Sequence, residues 1–443
     1  MSPQVLPRAE IERLDSMWKS PGFTPTLVAI AAAFGAWSLL LPVIPLAVLD
    51  SGGSAGLAGA STGVFMLATV ITQVFTPLML RRIGYNPVMV AAAFMLGVPA
   101  LGHLLGTEAW VVLLFSALRG IGFGALTVAE AALVAELVPV RFLGKATGTM
   151  GVFIGLAQMI MLPAGLFLAQ AAGYDTVYIT AAVIALIAVL MCLRIPRLKA
   201  APARPASAGQ VAGEPQHVPM WKLVLVPALA LTTLSMSFGA VSSFLPAAVV
   251  ESNPAAGAVI GGFMLSIVGG SAMVSRYLAG VIADRTGQPG GLIIYAQVAG
   301  LAGMALMAAT VAWGWPVWLL VVAAVLFGSG FGAVQNEALL SMFQRLPRSK
   351  VSEASAVWNI FYNAGTGIGS VVYGAIVAAW YYSGAFTAGA LIIVAGIVLT
   401  VADRIVGRHR VSEYDNIRTR LERVRPAARR RTTLTQADLP PRD

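Results

Sequence analysis

The chain has 443 residues, of which 58% are hydrophobic and 11% are charged, whereas a soluble domain carries about 25% charged residues. Its apolar runs are long enough to cross about 30 Å of hydrocarbon as helices, which excludes a water-soluble protein. The net charge of +10 does not indicate nucleic-acid binding, because the basic residues lie in the loops between apolar runs.

The apolar runs predict an all-α membrane protein with twelve transmembrane helices. In chain order, the predicted spans are 25–49, 57–80, 87–106, 110–137, 144–171, 174–194, 221–250, 256–283, 289–312, 315–345, 351–381 and 384–406. The charged stretch before the first span has no apolar region, so we expect no cleavable signal peptide.

Two phrases occur twice, which indicates that the second half of the chain repeats the first. Phe-Gly-Ala-x-Ser-x-x-Leu-Pro is found at 34–42 and 238–246, and Gly-x-Gly-Phe-Gly-Ala at 120–125 and 328–333. Six spans in each half give both halves the same orientation. We therefore predict two pseudo-symmetric six-helix bundles, with a substrate path at the interface between them.

Charge placement predicts the orientation in the membrane. One set of loops carries acidic residues but no Lys or Arg, and the loops on the other side carry the basic residues. Basic loops face the cytoplasm, so both termini are predicted to be cytoplasmic and the location to be the plasma membrane of a bacterium. The predicted units are an N-terminal segment 1–24, bundles 25–194 and 221–406, a linker 195–220 and a basic tail 407–443.

Two motifs resemble the major facilitator superfamily, and the resemblance covers about 25–406. Gly280-x-x-x-Asp284-Arg285-x-Gly287, preceded by Arg276, looks like the signature loop of that family, and 119–124 resembles its fourth-span motif with a buried arginine. The glycine and proline pattern of the fifth span matches that of drug–proton antiporters in part. The resemblance implies alternating access, in which the two halves rock around a site at mid-membrane.

The loop after the second span departs from the signature, since Pro77 replaces its glycine and Arg81 its aspartate. In this family each signature loop packs against a helix of the other half. Asp284 is therefore expected to meet the fifth span near Lys145, and Arg81 or Arg82 to meet Glu353 of the eleventh. These contacts form a predicted gate with inverted charge. The full gate set is Asp284, Arg285, Gly280, Arg276, Lys145, Arg81, Arg82, Glu353 and Glu136.

Ionisable side chains at membrane depth are costly and usually have a partner or a function. Glu337 and Glu130 occupy near-equivalent positions in the two halves and are predicted proton sites; Lys145 or Arg141 is an alternative partner for Glu130. Arg119 is either a substrate contact or a packing residue. The predicted proton and substrate set is Glu337, Glu130, Arg119, Asn336, Asn359, Asn363 and Trp37.

Nothing in the sequence indicates catalysis. The Gly-x-Ser-x-Gly pattern at 52–56 lies in a short loop without a nearby base, and no cluster has metal-ligand spacing. We therefore expect no enzyme activity, no metal site and no cofactor.

The leading hypothesis is proton-coupled export of small amphipathic molecules. One alternative is proton-coupled uptake or facilitated transport of a small organic solute such as an anion. Another is a membrane sensor or scaffold without transport activity. Expected partners are a small-molecule substrate, protons, the lipid bilayer and anionic lipid at the basic tail. We expect a monomer that binds no nucleic acid.

Overall fold

The computed structural model describes residues 6–200, 219–252 and 254–407, and the described residues are helical with short connections. The helices, numbered in chain order, are α1 (Arg8–Arg13), α2 (Phe23–Leu40), α3 (Val43–Asp50), α4 (Ala55–Arg82), α5 (Tyr85–Gly97), α6 (Ala109–Leu137), α7 (Leu143–Ala172), α8 (Tyr174–Cys192), α9 (Met220–Ser252), α10 (Pro254–Thr286), α11 (Ile293–Trp313), α12 (Trp318–Arg345) and α13 (Val351–Ala402).

Eleven segments of the described chain are long and apolar enough to cross a membrane, which supports the predicted all-helical membrane fold. The last segment runs from Arg348 to Val406 and has 59 residues, far more than the roughly 20 that one crossing needs. Its helix is interrupted at Trp380 and Tyr381, where Tyr381 has φ 56° and ψ −173°. The eleventh and twelfth predicted spans are joined here.

The predicted linker is described only at its two edges, and the basic tail lies outside the described residues apart from Gly407. Residues 193–200 lie against the loop between α4 and α5. There the Tyr85 N–H donates to the Leu198 carbonyl oxygen at 2.8 Å, and the Ala200 N–H donates to that of Leu80 at 3.2 Å.

The repeated proline has different effects in the two halves. At Pro42 the first span is divided into α2 and α3, because proline lacks the N–H that would continue the helix and its ring crowds the preceding turn. Pro246, its counterpart, lies inside the continuous helix α9. The break in the first half therefore has no equivalent at Pro246.

The repeated glycines are packing residues in both halves. A Cβ on Gly120 would lie 2.2 Å from the Phe65 carbonyl oxygen of α4, and one on Gly122 would lie 2.3 Å from the Leu96 nitrogen of α5. Gly328 and Gly330 face α10 and α11 in the same way. Each of these glycines therefore allows two helix backbones to approach closely.

Helices α2 to α8 pack on one another, as do α9 to α13, and the two groups meet where α7 crosses α10 and where α4 and α6 face α13. The loops after α4, α6, α10 and α12 lie together at one end of the bundle, which we call the basic end. At the opposite end a set of aromatic side chains is exposed, namely Trp110, Trp313, Trp315, Trp318, Trp380 and Tyr381.

Candidate transport site and gate

The first contact between the two halves joins Asp284 to the N-terminus of α7. Its Oδ1 accepts the Gly144 N–H and its Oδ2 the Lys145 N–H, both at 2.7 Å. A carboxylate is favoured here because the first turn of a helix leaves N–H groups unpaired and carries a partial positive charge. Asp284 thus meets the predicted helix, but its hydrogen bonds go to backbone N–H groups and not to the Lys145 amino group.

Two glycines allow this approach of α7 and α10. A Cβ on Gly280 would lie 1.9 Å from the Gly144 carbonyl oxygen, so no larger residue fits without a shift. Asn336, predicted as a substrate contact, is fully buried at the same crossing, and its Nδ2 lies 3.5 Å from the Gly144 carbonyl oxygen. Asn336 therefore lies among the residues predicted to form the gate.

The second contact joins α4 to α13. Arg81 forms an ion pair with Glu353, and Lys350 lies 3.4 Å from the same carboxylate. The Arg81 and Glu353 side chains are 21% and 17% exposed, so water screens this pair only in part. Of the two candidate arginines, Arg81 makes the contact, whereas Arg82 is exposed, as is Arg285 in the other loop.

A third contact, between Glu136 of α6 and Arg348, was missed from the sequence. The two side chains form an ion pair. The N-terminal segment binds the same region, since Nη1 of Arg8 donates to the carbonyl oxygens of Glu136 at 3.1 Å and Val138 at 2.9 Å. Arg348 is one of several basic loop residues, and no spacing in the sequence distinguishes it from the others.

Two further hydrogen bonds join the halves nearer mid-depth. The Ser355 hydroxyl donates to the Val128 carbonyl oxygen at 2.8 Å, and Nδ2 of Asn359 donates to that of Thr127 at 3.1 Å. Asn359 thus bridges α6 and α13. Asn363, one turn further towards the opposite end, is half-buried.

Glu130 and Arg276 are opposite charges on different halves. Both are buried, at 3% and 6% exposure, and they attract each other electrostatically without forming a direct ion pair. Oε2 of Glu130 has no hydrogen-bond partner among the described residues. Neither Lys145 nor Arg141 pairs with Glu130 in the described structure; Arg141 instead donates to the Leu14 carbonyl oxygen. The alternative that paired Glu130 with one of them is therefore wrong.

Arg276 extends from α10 towards both α7 and α13. Its Nη1 donates to Oε1 of Gln335 at 3.1 Å, and its guanidinium carbon lies 5.7 Å from the centre of the Trp358 ring. A Cβ on Gly151 of α7 would lie 2.3 Å from Cδ of Arg276. No pattern in the sequence marks Trp358, whose ring lies against the guanidinium of this arginine.

Glu337 binds within its own half. Its Oε2 accepts the Leu292 N–H at 3.1 Å, at the start of α11, while Oε1 has no partner among the described residues. The side chain is fully buried. Glu337 therefore holds the loop between α10 and α11, away from the Glu130–Arg276 pair.

Arg119 and Trp37 line a cavity of about 20 Å³ in the first half. Nε of Arg119 donates to the Leu96 carbonyl oxygen at 3.2 Å, and the guanidinium carbon lies 5.6 Å from the centre of the Phe65 ring. The Trp37 ring stacks on Phe123 with a centroid distance of 4.9 Å. The cavity thus brings together two residues that the sequence analysis selected for substrate binding.

Comparison with known proteins identifies the family to which the chain belongs. The sequence profile of the Major Facilitator Superfamily matches residues 26–345. The chain belongs to the major facilitator superfamily. Members of this superfamily are multi-pass membrane transporters of small molecules, which agrees with the membrane fold and with a role other than catalysis.

Curated relatives in this superfamily match over part of their length. The purine ribonucleoside efflux pump NepI of Salmonella enteritidis is 27% identical over 180 residues, which is 41% of this chain and 41% of the pump. An uncharacterised MFS-type transporter of Mycobacterium tuberculosis is 27% identical over 134 residues, 30% of this chain and 19% of that protein. The chain thus spans less than half the length of the curated relatives it matches.

Two solved structures share the fold at 15% identity. The proton:xylose symporter XylE superposes with a TM-score of 0.70, covering 86% of this chain and 95% of the symporter. The human organic anion transporter MFSD10 superposes with a TM-score of 0.68, covering 85% and 98%. These similarities support the major facilitator fold of the chain.

Proposed function

We propose that this major facilitator protein is a proton-coupled exporter of small amphipathic molecules that works by alternating access. In this proposal the two bundles, 25–194 and 221–406, each have six spans, and α13 supplies the last two of the twelve. The basic end faces the cytoplasm, because loops rich in Lys and Arg are retained there.

One observation carries the alternating-access proposal. In the described structure, the hydrogen bonds and ion pairs between the halves all lie between mid-depth and the basic end; they involve Asp284, Arg81, Glu136, Ser355 and Asn359. Near the opposite end, a Cβ on Gly63 would meet nothing within 4 Å. Such an arrangement is closed towards the cytoplasm and is the outward-facing state of a transporter.

The Glu130–Arg276 pair supplies a physical route to proton coupling. The charge of Glu130 acts on Arg276 across the interface, so binding and release of a proton there change the balance between the closed and the open basic end. In the proposed cycle the proton binds from outside and is released to the cytoplasm, and the substrate moves in the opposite direction.

Glu130 is a better proton site than Glu337 on this geometry. Glu130 faces a charge on the other half, so its protonation acts directly on the contact between halves. Glu337 accepts a backbone N–H of its own half, and its protonation has no comparable effect. The export direction is supported by the partial similarity to the efflux pump NepI.

Proton release from acid-loaded everted vesicles tests the proposal. A panel of lipophilic cations, organic anions and sugars is added to wild type, to Glu130→Gln and to the matched carboxylate variant Glu337→Gln. We expect at least one compound to release protons in wild type and in Glu337→Gln but not in Glu130→Gln. Equal release in all three proteins would assign the coupling to another group, and no release by correctly folded wild type would contradict proton-coupled export.

A further inference from the structure

Arg119 is a buried cation whose charge is not compensated by any carboxylate in the described residues. Its side chain is 3% exposed and belongs to none of the ion pairs in that part of the chain. Nε of Arg119 donates to the Leu96 carbonyl oxygen and its guanidinium lies over the ring of Phe65, while the nearby titratable side chains with which it interacts electrostatically are Tyr178 and His103. A guanidinium has five N–H donors and buried charges are normally paired, so this one lacks the anion that its position requires.

A second donor points to the same place. Nε1 of Trp37 is buried and has no hydrogen-bond partner among the described residues, although a buried indole N–H usually finds one. Trp37 and Arg119 both line the cavity of about 20 Å³, together with the hydroxyl-bearing residues Ser61, Thr62 and Ser116. The Ser61 hydroxyl already donates to the Ala58 carbonyl oxygen at 2.7 Å. None of these lining side chains is acidic.

The cavity lies beside the break in the first span. Leu40, Leu41, Ile44 and Pro45, which form part of its wall, flank the point where α2 gives way to α3. Leu41 and Pro42 keep helical backbone angles there, so the interruption consists of the hydrogen bonds lost at Pro42. The wall is thus apolar on the side of the break and polar on the side of Arg119.

We propose that this cavity binds the carboxylate of a monoanionic amphipathic substrate. Arg119 supplies the charge, Trp37 donates its indole N–H, and the apolar wall next to the break accepts the first carbons of the substrate. The two donors match the two oxygens of one carboxylate, and a group with a second negative charge would exceed the single positive charge of Arg119. The inference names the substrate class of the transport activity proposed above. Its physiological meaning therefore rests on that proposed function.

The matching of charge and shape excludes two other classes. A cationic amphipath would place a second positive charge against Arg119 in a medium of low dielectric. A neutral sugar forms no ion pair with Arg119 and would bury hydroxyl groups against the apolar wall of Leu40, Leu41, Ile44 and Pro45, since Ser61, Thr62 and Ser116 line only the other side. The carboxylate of an otherwise apolar molecule fits both parts of the cavity.

Equilibrium binding to protein in nanodiscs tests the inference without requiring transport. Three ligands of the same ring system are compared at pH 7.5: 2-naphthoate, 2-naphthalenemethanol and 2-naphthalenemethylamine. We expect 2-naphthoate to bind at least tenfold more tightly than the other two in wild type. Arg119→Gln should weaken the binding of 2-naphthoate at least tenfold, since charge-assisted hydrogen bonds are lost, and should leave the binding of the alcohol unchanged. Arg197→Gln, which removes an exposed arginine remote from the cavity, should bind like wild type.

Trp37→Phe keeps the ring and removes only the indole N–H, so it keeps the inference testable if Arg119→Gln does not fold. We expect it to weaken 2-naphthoate about three- to tenfold without changing the binding of the alcohol. Acetate and chloride are added as competitors, because a free small anion would satisfy the same two donors. Displacement of 2-naphthoate by acetate or chloride at a concentration as low as that of 2-naphthoate itself would overturn the amphipathic substrate class. Equal affinity for the three naphthalene ligands would overturn it as well. Carboxylate-selective binding without proton release would uphold this inference and contradict the coupling proposal alone.

Discussion

Arg81 on α4 and Glu353 on α13 form an ion pair between the two halves of the bundle, at the end where Asp284 of the other loop binds backbone N–H groups of α7. The two predicted gates occupy related positions and differ in chemistry. One joins two charged side chains, and the other joins a carboxylate to a helix N-terminus. This difference determines how each gate responds to substitution.

Exchanging the charges at the Arg81–Glu353 gate should restore a contact that either single change breaks. Arg81→Glu or Glu353→Arg places like charges together and should favour opening of the basic end, whereas the double variant rebuilds the pair with opposite polarity. We expect a coupling energy of about 1 kcal/mol for this partly exposed pair. Labelling of Ser355→Cys, buried at the interface in the closed state, by a thiol reagent measures opening. Additive effects of the two changes would show that the pair does not hold the gate.

The Asp284 gate should depend on Asp284 and not on the Lys145 side chain. Asp284→Asn removes the charge and one of two acceptors and should cost about 1–3 kcal/mol of the closed state. Lys145→Gln leaves the backbone N–H groups in place and should label like the parent in the same Ser355→Cys assay. A larger effect of Lys145→Gln than of Asp284→Asn would contradict a backbone contact.

The crossing of α7 and α10 should not tolerate a methyl group at Gly280. A Cβ there would lie 1.9 Å from the Gly144 carbonyl oxygen, so Gly280→Ala must separate the helices and open the basic end. Gly269→Ala, on the same helix with nothing within 4 Å of its Cβ, is the control. We expect increased Ser355→Cys labelling for Gly280→Ala only. Parental labelling and transport in Gly280→Ala would show that the crossing is not the gate.

The effect of substituting Glu337 on stability should depend on whether the new side chain keeps a hydrogen-bond acceptor for the Leu292 N–H. Glu337→Gln keeps a carbonyl oxygen for the Leu292 N–H and should change the free energy of unfolding by less than about 1 kcal/mol. Glu337→Leu leaves that N–H without its partner and should cost about 1–3 kcal/mol, measured by thermal or denaturant unfolding in detergent. If Glu337→Gln destabilises as much as Glu337→Leu, the charge of Glu337 is needed for more than this hydrogen bond.

The helices and the places where Arg81 and Asp284 meet the other half could be predicted from the sequence, because both follow from short patterns. Apolar length places the spans, and the repeat offset relates Lys145 to Glu353, which lie at the starts of α7 and α13. The hydrogen bonds from the backbone of α7 to Asp284 could not be predicted, because nearly every residue has a backbone N–H and residue identity does not show which one is bound. The predicted link to Lys145 correctly identified the helix turn but not the bonding atoms.

The membrane-embedded residues were harder to place from the sequence. Asn336, Asn359 and Glu337 were all selected because they are polar within apolar helices, yet the structure places them at a helix crossing, at a bridge between halves and at a loop. The position of a residue along an apolar span gives its depth in the membrane. It does not show which neighbouring helix lies against that residue. The missing counter-charge of Arg119 likewise depends on every helix around it.

Crosslinking of the basic end tests alternating access most directly. Cysteines replace Arg81 and Glu353 in a Cys192→Ala background, since Cys192 is the chain's one cysteine. A short bifunctional thiol reagent that a reductant cleaves then joins α4 to α13. The measurement is export of the panel compound with the largest proton response, before crosslinking, after it and after cleavage. Export should stop when the crosslink forms and should return when the crosslink is cleaved. Undiminished export by fully crosslinked protein would contradict alternating access.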